Sequence, residues 1–161
     1  MRQVEDYKRK FLVVIDDSAD CDRAVAFAAY RVRRTGGKIV FLAVIDTADF
    51  QQFLGVEEVM RAEAIEEAER LIDRRIARVK KIDETIQVET VIREGRPADA
   101  VEQLIAEDKD IAILVLAGAS SSEGSNELVS AFATRVGAAA LHVPVTIVPG
   151  TMTDAEIEAV S

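Results

Sequence analysis

Five short apolar runs, separated by segments with helical periodicity, limit the folds open to this chain more than any other feature. The runs are nearly continuous and rich in branched aliphatic residues, which is typical of strands covered on both faces. They occupy residues 10–15, 38–45, 85–93, 111–117 and 143–149. Apolar residues recur at helical spacing in the intervals 20–35, 57–81, 98–107 and 126–141. The order βαβαβαβαβ predicts a single α/β domain, with an open parallel five-stranded sheet and helices on both faces.

Two of the predicted strands carry signals of a sheet edge. The run at 85–93 alternates between apolar and polar residues at its start, so one of its faces is less covered. The last run contains Pro144 and Pro149, and proline favours an edge because it has no N–H to donate. Residues 46–56 lack periodicity and are interpreted as a loop. The predicted domain covers residues 1–150, and residues 151–161 form an acidic, polar tail that we expect to be disordered.

Charge and hydropathy exclude several classes of partner. A net charge of −9 argues against nucleic acid, whose phosphates would be repelled. The basic residues Arg31, Arg33 and Arg34 cluster on one predicted helix and are interpreted as a solvated face. No apolar run approaches the roughly 20 residues of a membrane span, and the first residues do not resemble a signal peptide. We therefore expect a cytoplasmic protein with no membrane or nucleic-acid partner.

Cysteine and histidine each occur once, as Cys21 and His142. A single cysteine excludes a disulfide or a thiolate metal cluster within the chain. A single histidine disfavours a histidine-rich metal site, and His142 has no evident catalytic partner. Cys21 is predicted to be buried and unreactive. The sequence therefore predicts neither catalytic residues nor a metal site.

Polar residues and glycines gather where the predicted strands end, at residues 16–18, 44–46, 95–97 and 118–125. In an open parallel sheet, ligands bind outside the carboxyl ends of the strands. The last segment is a glycine- and serine-rich loop before a helix, which can hold phosphate through backbone N–H groups and the helix dipole. A nucleotide would then place its ribose or base near Asp16 and its base along the second strand at Val44. Alternatively, Asp16 and Ser18 only cap the first helix.

Five segments together resemble the universal stress protein family along nearly the whole chain. VVIDDS at 13–18 is similar to the first-strand signature V-x-V-D-G-S of that family, and GRPA at 95–98 is similar to its G-x-P-A turn. FLAV at 41–44, ILVLAGA at 113–119 and VPVTIV at 143–148 resemble its second, fourth and closing strands. Each segment is weak alone, but their shared order and spacing make the resemblance specific.

The resemblance implies a Rossmann-like sheet of the adenine nucleotide alpha hydrolase type. It also implies a homodimer paired through the last strand, where the candidate interface residues are Val143, Val145, Ile147 and Val148. Some members bind ATP between the end of the first strand and the loop after the fourth, with the pattern G-x-x-G-x9-G-(S/T). The candidate nucleotide-binding residues carried over from the family are Asp16, Asp17, Ser18, Val44, Gly118, Ala119, Ser120, Ser121, Ser130 and Ala131.

The ATP-binding pattern itself is degenerate in this sequence. Gly118 matches the first glycine, but Ser121 stands at the second. The final pair reads AF at 131–132, or SA at 130–131 if the helix is shifted by one residue. Asp17 replaces the usual glycine after the aspartate and adds a negative charge. Losing two charge-assisted contacts of roughly 1.5–3 kcal/mol each would weaken affinity about a hundredfold or more.

Three functions therefore stay open. The first is a non-enzymatic stress-response protein that acts through protein contacts and carries a degenerate or weak adenine nucleotide site. The second is an ATP- or AMP-binding sensor with slow ATP hydrolysis, in which Asp16 and Asp17 hold Mg²⁺ beside the phosphates. The third is a structural dimer whose residues 150–161 recruit a partner protein.

Overall fold

The computed structural model describes residues 9–46, 55–119, 127–135 and 141–161. The strands are β1 (Lys10–Ile15), β2 (Lys38–Ile45), β3 (Val88–Glu94), β4 (Ile111–Gly118) and β5 (Val145–Pro149). The helices are α1 (Ala19–Thr35), α2 (Glu57–Ile82), α3 (Pro97–Glu107), α4 (Glu127–Arg135) and α5 (Asp154–Val160). Most of the predicted loop, residues 47–54, lies outside the described residues.

All five strands are parallel and lie in the order β3-β2-β1-β4-β5, which confirms the predicted fold class. β1 is the central strand, and its Leu12 and Val13 are fully buried in the two cores on opposite faces of the sheet. β3 and β5 are the edges, as the alternation and the prolines predicted. The direction of winding reverses between β1 and β4, so the ends of these two strands frame the switch point where ligands bind in such sheets.

Helices cover the two faces unequally. α1 and α2 pack against Phe11, Val13 and Phe41 on one face. α3 and α4 cover the other face, where Val101 and Phe132 are buried with residues of β1, β2 and β4. Both cores are almost wholly aliphatic and aromatic, so the sheet is a rigid platform for the loops at its carboxyl end.

Several element boundaries differ from the predicted ones by a few residues. β3 begins at Val88 rather than residue 85, because the Asp83 carboxylate accepts hydrogen bonds from the Thr85 N–H (2.9 Å) and hydroxyl (2.6 Å) in a turn after α2. β5 begins at Val145, two residues later than predicted. The fourth helix was predicted to reach Leu141, but that residue is not helical, and residues 136–140 lie outside the described part.

The expectation of a disordered tail is wrong, because residues 154–160 form α5. Thr153 caps this helix: its hydroxyl accepts from the Glu156 N–H, and the Glu156 carboxylate accepts from the Thr153 N–H, in a capping box. Ile157 is 0% exposed and joins the core formed by α1 and α2. A seven-residue segment with one strongly buried residue gives little periodic signal, so its packing partner decides its structure. The division of the chain at residue 150 remains a prediction.

The basic cluster on α1 is largely exposed, as predicted, but it also contacts α5, which lies along it. Arg31 and Arg34 each donate a hydrogen bond to the Ser161 carbonyl oxygen at 3.2 Å. Arg33 pairs with Glu158 at 2.9 Å and lies over the ring of Tyr30. The acidic tail and the basic helix face are therefore complementary surfaces within one chain.

Candidate functional site

A cavity of about 700 Å³ opens at the carboxyl ends of the central strands. Five residues predicted from the sequence line it: Asp16, Ser18, Val44, Ala119 and Ala131. Asp46, Arg96 and Pro97, from the strand-end segments 44–46 and 95–97, also line it, and the structure adds Val14, Ile15, Asp20, Ala98 and Leu128. Its volume lies within the range of small-molecule sites, which is roughly 300–1,000 Å³.

The other five predicted residues do not line this cavity, or are not described. Asp17 follows Asp16 on the exposed side of the turn, and Ser130 is exposed on α4. Gly118 ends β4, where a Cβ would lie 3.4 Å from the Val148 carbonyl oxygen, so its missing side chain lets β5 pack closely. Ser120 and Ser121 lie outside the described residues.

The turn between β1 and α1 uses Asp16 and Ser18 for two purposes. One carboxylate oxygen of Asp16 accepts hydrogen bonds from the Ser18 N–H (2.9 Å) and the Ser18 hydroxyl. Ser18 is the N-cap of α1, and its hydroxyl oxygen accepts from the Cys21 N–H at 3.2 Å. Capping and cavity lining are therefore compatible, because the capped turn holds the exposed Asp16 carboxylate in a fixed position at the rim.

Arg75 on α2 braces the same turn, a role that its sequence context did not reveal. One of its terminal nitrogens donates to the carbonyl oxygens of both Asp16 and Ser18, each at 2.9 Å. Its sequence neighbours form a charged helix face that looks solvated. Arg75 and the turn are 57 or 59 residues apart, so no local pattern could link them.

Asp20, in the first turn of α1, lies at the cavity and close to the backbone of Gly150, just after β5. A Cβ at Gly150 would lie 2.3 Å from the Asp20 Oδ1 and 2.7 Å from the Gly118 carbonyl oxygen. Only glycine fits at that position without displacing one of them. The link between Gly150 and Asp20 spans most of the chain and was absent from the sequence-based prediction.

The lining of the cavity is acidic on one side and apolar on another. Asp16, Asp20 and Asp46 contribute carboxylates, while Arg96, exposed at the N-cap of α3, contributes the one guanidinium among the described lining residues. Of the described side chains of α4, Leu128 and Ala131 line the cavity. Within the described ranges, no three histidine, cysteine or carboxylate side chains converge as metal ligands would.

Cys21 is close to the cavity but offers no nucleophile. Its side chain is 1% exposed, and its thiol contacts the Val14 carbonyl oxygen at 3.8 Å. Burial raises the pKa of this thiol to about 11, so it stays protonated at neutral pH. This agrees with the prediction of a buried, unreactive cysteine. His142 is exposed just before β5.

The candidate dimer residues on and beside β5 differ in how far their side chains are exposed to a partner. Ile147 is 45% exposed on the edge strand β5. Val143 and Val145 are half-buried against the core beneath α3 and α4. Val148 is 2% exposed and packs in the core beneath α1, so its side chain cannot reach a partner.

These features define an α/β protein with a cavity at the topological switch point of a parallel sheet. A sequence model of the universal stress protein family matches residues 8–149. The chain therefore belongs to the universal stress protein family. A search of curated protein sequences finds no significant match.

Solved structures with the same fold extend over nearly all of this chain. Universal stress protein UspA from Lactobacillus plantarum superimposes with a TM-score of 0.69 at 20% identity, covering 88% of this chain and 97% of its own. A universal stress protein from Archaeoglobus fulgidus in complex with dAMP gives 0.61 at 17% identity, with 88% and 98% covered. A universal stress protein in complex with cAMP gives 0.59 at 19% identity, with 90% and 99% covered. At these identities the comparison shows a shared fold.

Every helix in the described part of the chain is too short or too polar to cross a membrane.

Proposed function

We propose that this chain is a stress-response protein that acts through contacts with other proteins and binds an adenine nucleotide weakly, without catalysing a reaction. The cavity at the ends of β1, β2 and β4 carries this proposal, since it lies at the switch point of a universal stress protein fold. Proteins of the same fold have been solved with cAMP and with dAMP. Action in the cytoplasm, away from nucleic acid, fits the net charge of −9.

The described lining suits a purine nucleoside. Val14, Ile15 and Val44 offer apolar surface for the faces of a base. The Asp16 carboxylate can accept hydrogen bonds from ribose hydroxyls, because one of its oxygens is engaged by Ser18 and the other remains at the exposed rim. Ala119, directly after β4, marks the side on which a phosphate group would lie.

The same lining explains why binding should be weak. Where ATP-binding relatives carry glycine and a hydroxyl residue, this chain places Ala131 in the cavity and leaves Ser130 exposed outside it. Leu128 adds a second apolar side chain on α4. Neither apolar side chain can replace a hydrogen bond to a phosphate oxygen, and each lost charge-assisted bond costs about 1.5–3 kcal/mol.

A non-catalytic role is favoured over slow ATP hydrolysis by the chemistry of the described side chains. The Cys21 thiol is buried, with its pKa raised to about 11, and His142 does not line the cavity. Recruitment of a partner by a free tail is disfavoured, because α5 is packed against α1 with Ile157 buried. The assignment of Mg²⁺ and ATP as cofactors is part of the sensor alternative, so the experiments that test the sensor also test this assignment.

Nucleotide-free protein is expected to bind AMP and ATP with dissociation constants in the range of roughly 100 µM or weaker, about a hundredfold above the micromolar range. Asp16→Ala should weaken AMP binding a further tenfold or so, because it removes a charged hydrogen-bond acceptor. Isothermal titration calorimetry measures both. Asp17→Ala is the matched control, since Asp17 is adjacent, carries the same charge and lies outside the cavity lining.

Two results would favour the sensor alternative instead. One is low-micromolar ATP binding, or adenine nucleotide that co-purifies and is released on denaturation. The other is steady release of phosphate from Mg-ATP that Asp16→Ala abolishes and Asp17→Ala leaves intact.

We further propose that the chain forms a homodimer through the open edge of β5. Among the described strands β5 forms one edge of the sheet, and an edge strand with an exposed isoleucine is prone to pair with another strand. Ile147→Lys is expected to shift the protein from dimer to monomer at micromolar concentration, as measured by sedimentation velocity. Val59→Lys is the control, because Val59 is 59% exposed on α2, away from β5. A wild-type monomer at that concentration contradicts the proposal.

A further inference from the structure

We infer that the face of α1 and α2 beneath α5 is a docking surface for an acidic amphipathic helix of a partner protein, and that α5 occupies this surface until the partner displaces it. The inference rests on the proposed role in protein contacts and names the surface that makes them. We call this surface the arginine face, and it is formed by Arg23, Arg31, Arg33 and Arg34 of α1 and Arg78 of α2.

α5 lies outside the part of the chain that defines the family. The family model matches residues 8–149, whereas α5 spans Asp154–Val160. It packs against α1, which belongs to the matched domain. A helix outside the matched domain, seated on one of the domain's own helices, has the arrangement of an internal ligand.

α5 contacts the arginine face through oxygen atoms. Its first carboxylate, that of Asp154, lies 2.8 Å from guanidinium nitrogens of both α1 and α2, and the Glu158 carboxylate lies 2.9 Å from a third guanidinium. The Ser161 carbonyl oxygen accepts two further hydrogen bonds at 3.2 Å. The arginines in these three sets of contacts are, in order, Arg23 with Arg78, Arg33, and Arg31 with Arg34. Guanidinium groups from two helices therefore converge on one short acidic segment.

One apolar side chain anchors α5 between these polar contacts. Ile157 is 0% exposed and belongs to the core cluster that also contains Val25, Ala29 and Val32 of α1. In α5 a carboxylate stands three residues before this aliphatic anchor and another directly after it. This spacing defines the kind of partner helix that the surface fits.

The attachment of α5 is of a kind that opens locally. The side chains of Asp154 and Glu158 are 50% and 55% exposed, and exposed ion pairs contribute little to stability. Asp22 also contacts Arg23 and Arg78, so these two arginines keep a carboxylate when α5 leaves. A short helix held by one buried side chain is expected to be open in roughly 0.1–10% of molecules.

Opening of α5 would combine positive charge with an apolar seat. Arg31, Arg33 and Arg34 would lose the α5 oxygens that contact them, and the seat of Ile157 would be exposed. Complementary charge speeds association and suppresses wrong partners. Nucleic acid would match the charge but offers no aliphatic side chain for the seat. An acidic helix with an aliphatic anchor matches both features.

NMR titrations of the full chain with a synthetic peptide of residues 150–161 test this inference. Two variants open α5 in different ways: Ile157→Ser removes the anchor, and the double substitution Asp154→Lys with Glu158→Lys reverses the charges. Both should bind the peptide at least tenfold more tightly than wild type, in which only the open fraction is competent. Chemical-shift changes should map to the amides of the arginine face.

Control substitutions assign the binding to charge and anchor together. A peptide that carries Ile157→Ser should not bind. Arg33→Glu with Arg34→Glu, added to an opened variant, should weaken peptide binding roughly fivefold. Arg70→Glu is the matched control on α2, because Arg70 is 63% exposed and its described ion pair is with Glu67, so the affinity should be unchanged.

Hydrogen exchange of the wild-type protein gives a readout that needs no variant. The amides of α5 should exchange at least tenfold faster than those at the buried centre of α1, because they are released by local opening. Equal protection of the two helices would show that α5 does not leave the arginine face, and would overturn the inference.

Three further results would also overturn it. They are equal peptide affinity in wild type and the opened variants, absence of binding to the opened variants that circular dichroism shows to be folded, and an Ile147→Lys dimer that the peptide disperses. The last result would assign the arginine face to a second copy of this chain. The nucleotide titrations described above test the proposed function separately, since tight ATP binding would contradict it whatever the peptide does.

Discussion

Replacing Ile157 with alanine is expected to lower the free energy of unfolding by about 2–4 kcal/mol. Ile157 is 0% exposed and is the buried anchor of α5 in the core beneath α1. The cost is large for such a short helix, because a seven-residue segment is not helical without its packing partner. Loss of this anchor therefore frees the whole helix as well as leaving a cavity. Urea denaturation followed by circular dichroism measures the change.

Val160→Ala is the matched control, because Val160 belongs to the same helix but is 59% exposed. Its effect should stay within about 0.5 kcal/mol. If both substitutions have equally small effects, α5 does not pack on the core in solution. In that case the hydrogen bonds and the ion pair between α5 and the basic residues of α1 would also be absent in solution.

The ion pairs that hold α5 show why its sequence did not reveal it. The Asp154 carboxylate lies 2.8 Å from both Arg23 on α1 and Arg78 on α2. Asp22 contacts the same two arginines. Burial alone would raise the pKa of Asp154, but its hydrogen bond with Arg78 and the charges of both arginines outweigh that effect and lower it. These partners come from three separate helices, so no local pattern contains the information.

The sheet, by contrast, was predictable almost completely from local signals. A strand buried on both faces needs a continuous apolar run, and β1, β2 and β4 each have one. The edges were predictable because an edge strand tolerates polar alternation, as in β3, and proline, as in β5. Once the order of strands and helices is known, right-handed crossovers leave few arrangements.

The location of the cavity followed from the fold, but its electrostatic character did not. Asp16, Val44 and Ala119 end adjacent strands, so a general rule for parallel sheets brings them together. Arg96 lies in the strand-end segment 95–97 that the sequence indicated, but its charge has no role in the family pattern. Asp20 lies in the first turn of α1, and its place at the cavity depends on its closeness to Gly150, which no local pattern predicts. A motif comparison identifies a degenerate phosphate loop but gives no account of the charges that replace it.

Replacing Arg75 with methionine is expected to lower the free energy of unfolding by about 2 kcal/mol and to weaken AMP binding roughly tenfold. Methionine keeps much of the length of the side chain but donates no hydrogen bond, so the carbonyl oxygens of Asp16 and Ser18 lose their shared donor. Hydrogen bonds from charged groups contribute about 1.5–3 kcal/mol each, and partial exposure of Arg75 reduces their sum. Loss of these hydrogen bonds should also weaken AMP binding, because the same turn carries the Asp16 carboxylate at the cavity rim.

Two control variants separate this bracing role from a general effect of charge. Arg70→Met removes a guanidinium from the same helix, but Arg70 is 63% exposed and pairs only with nearby Glu67 among its described contacts, so stability should be nearly unchanged. Arg75→Lys keeps the charge, and its compact ammonium should restore part of both losses by donating to one carbonyl. Urea denaturation and AMP titration should then rank wild type, Arg75→Lys and Arg75→Met in the same order. AMP affinity depends on the position of the Asp16 carboxylate, and that position depends on the conformation of the turn. If stability falls while AMP affinity is unchanged, Arg75 therefore supports the fold without positioning Asp16.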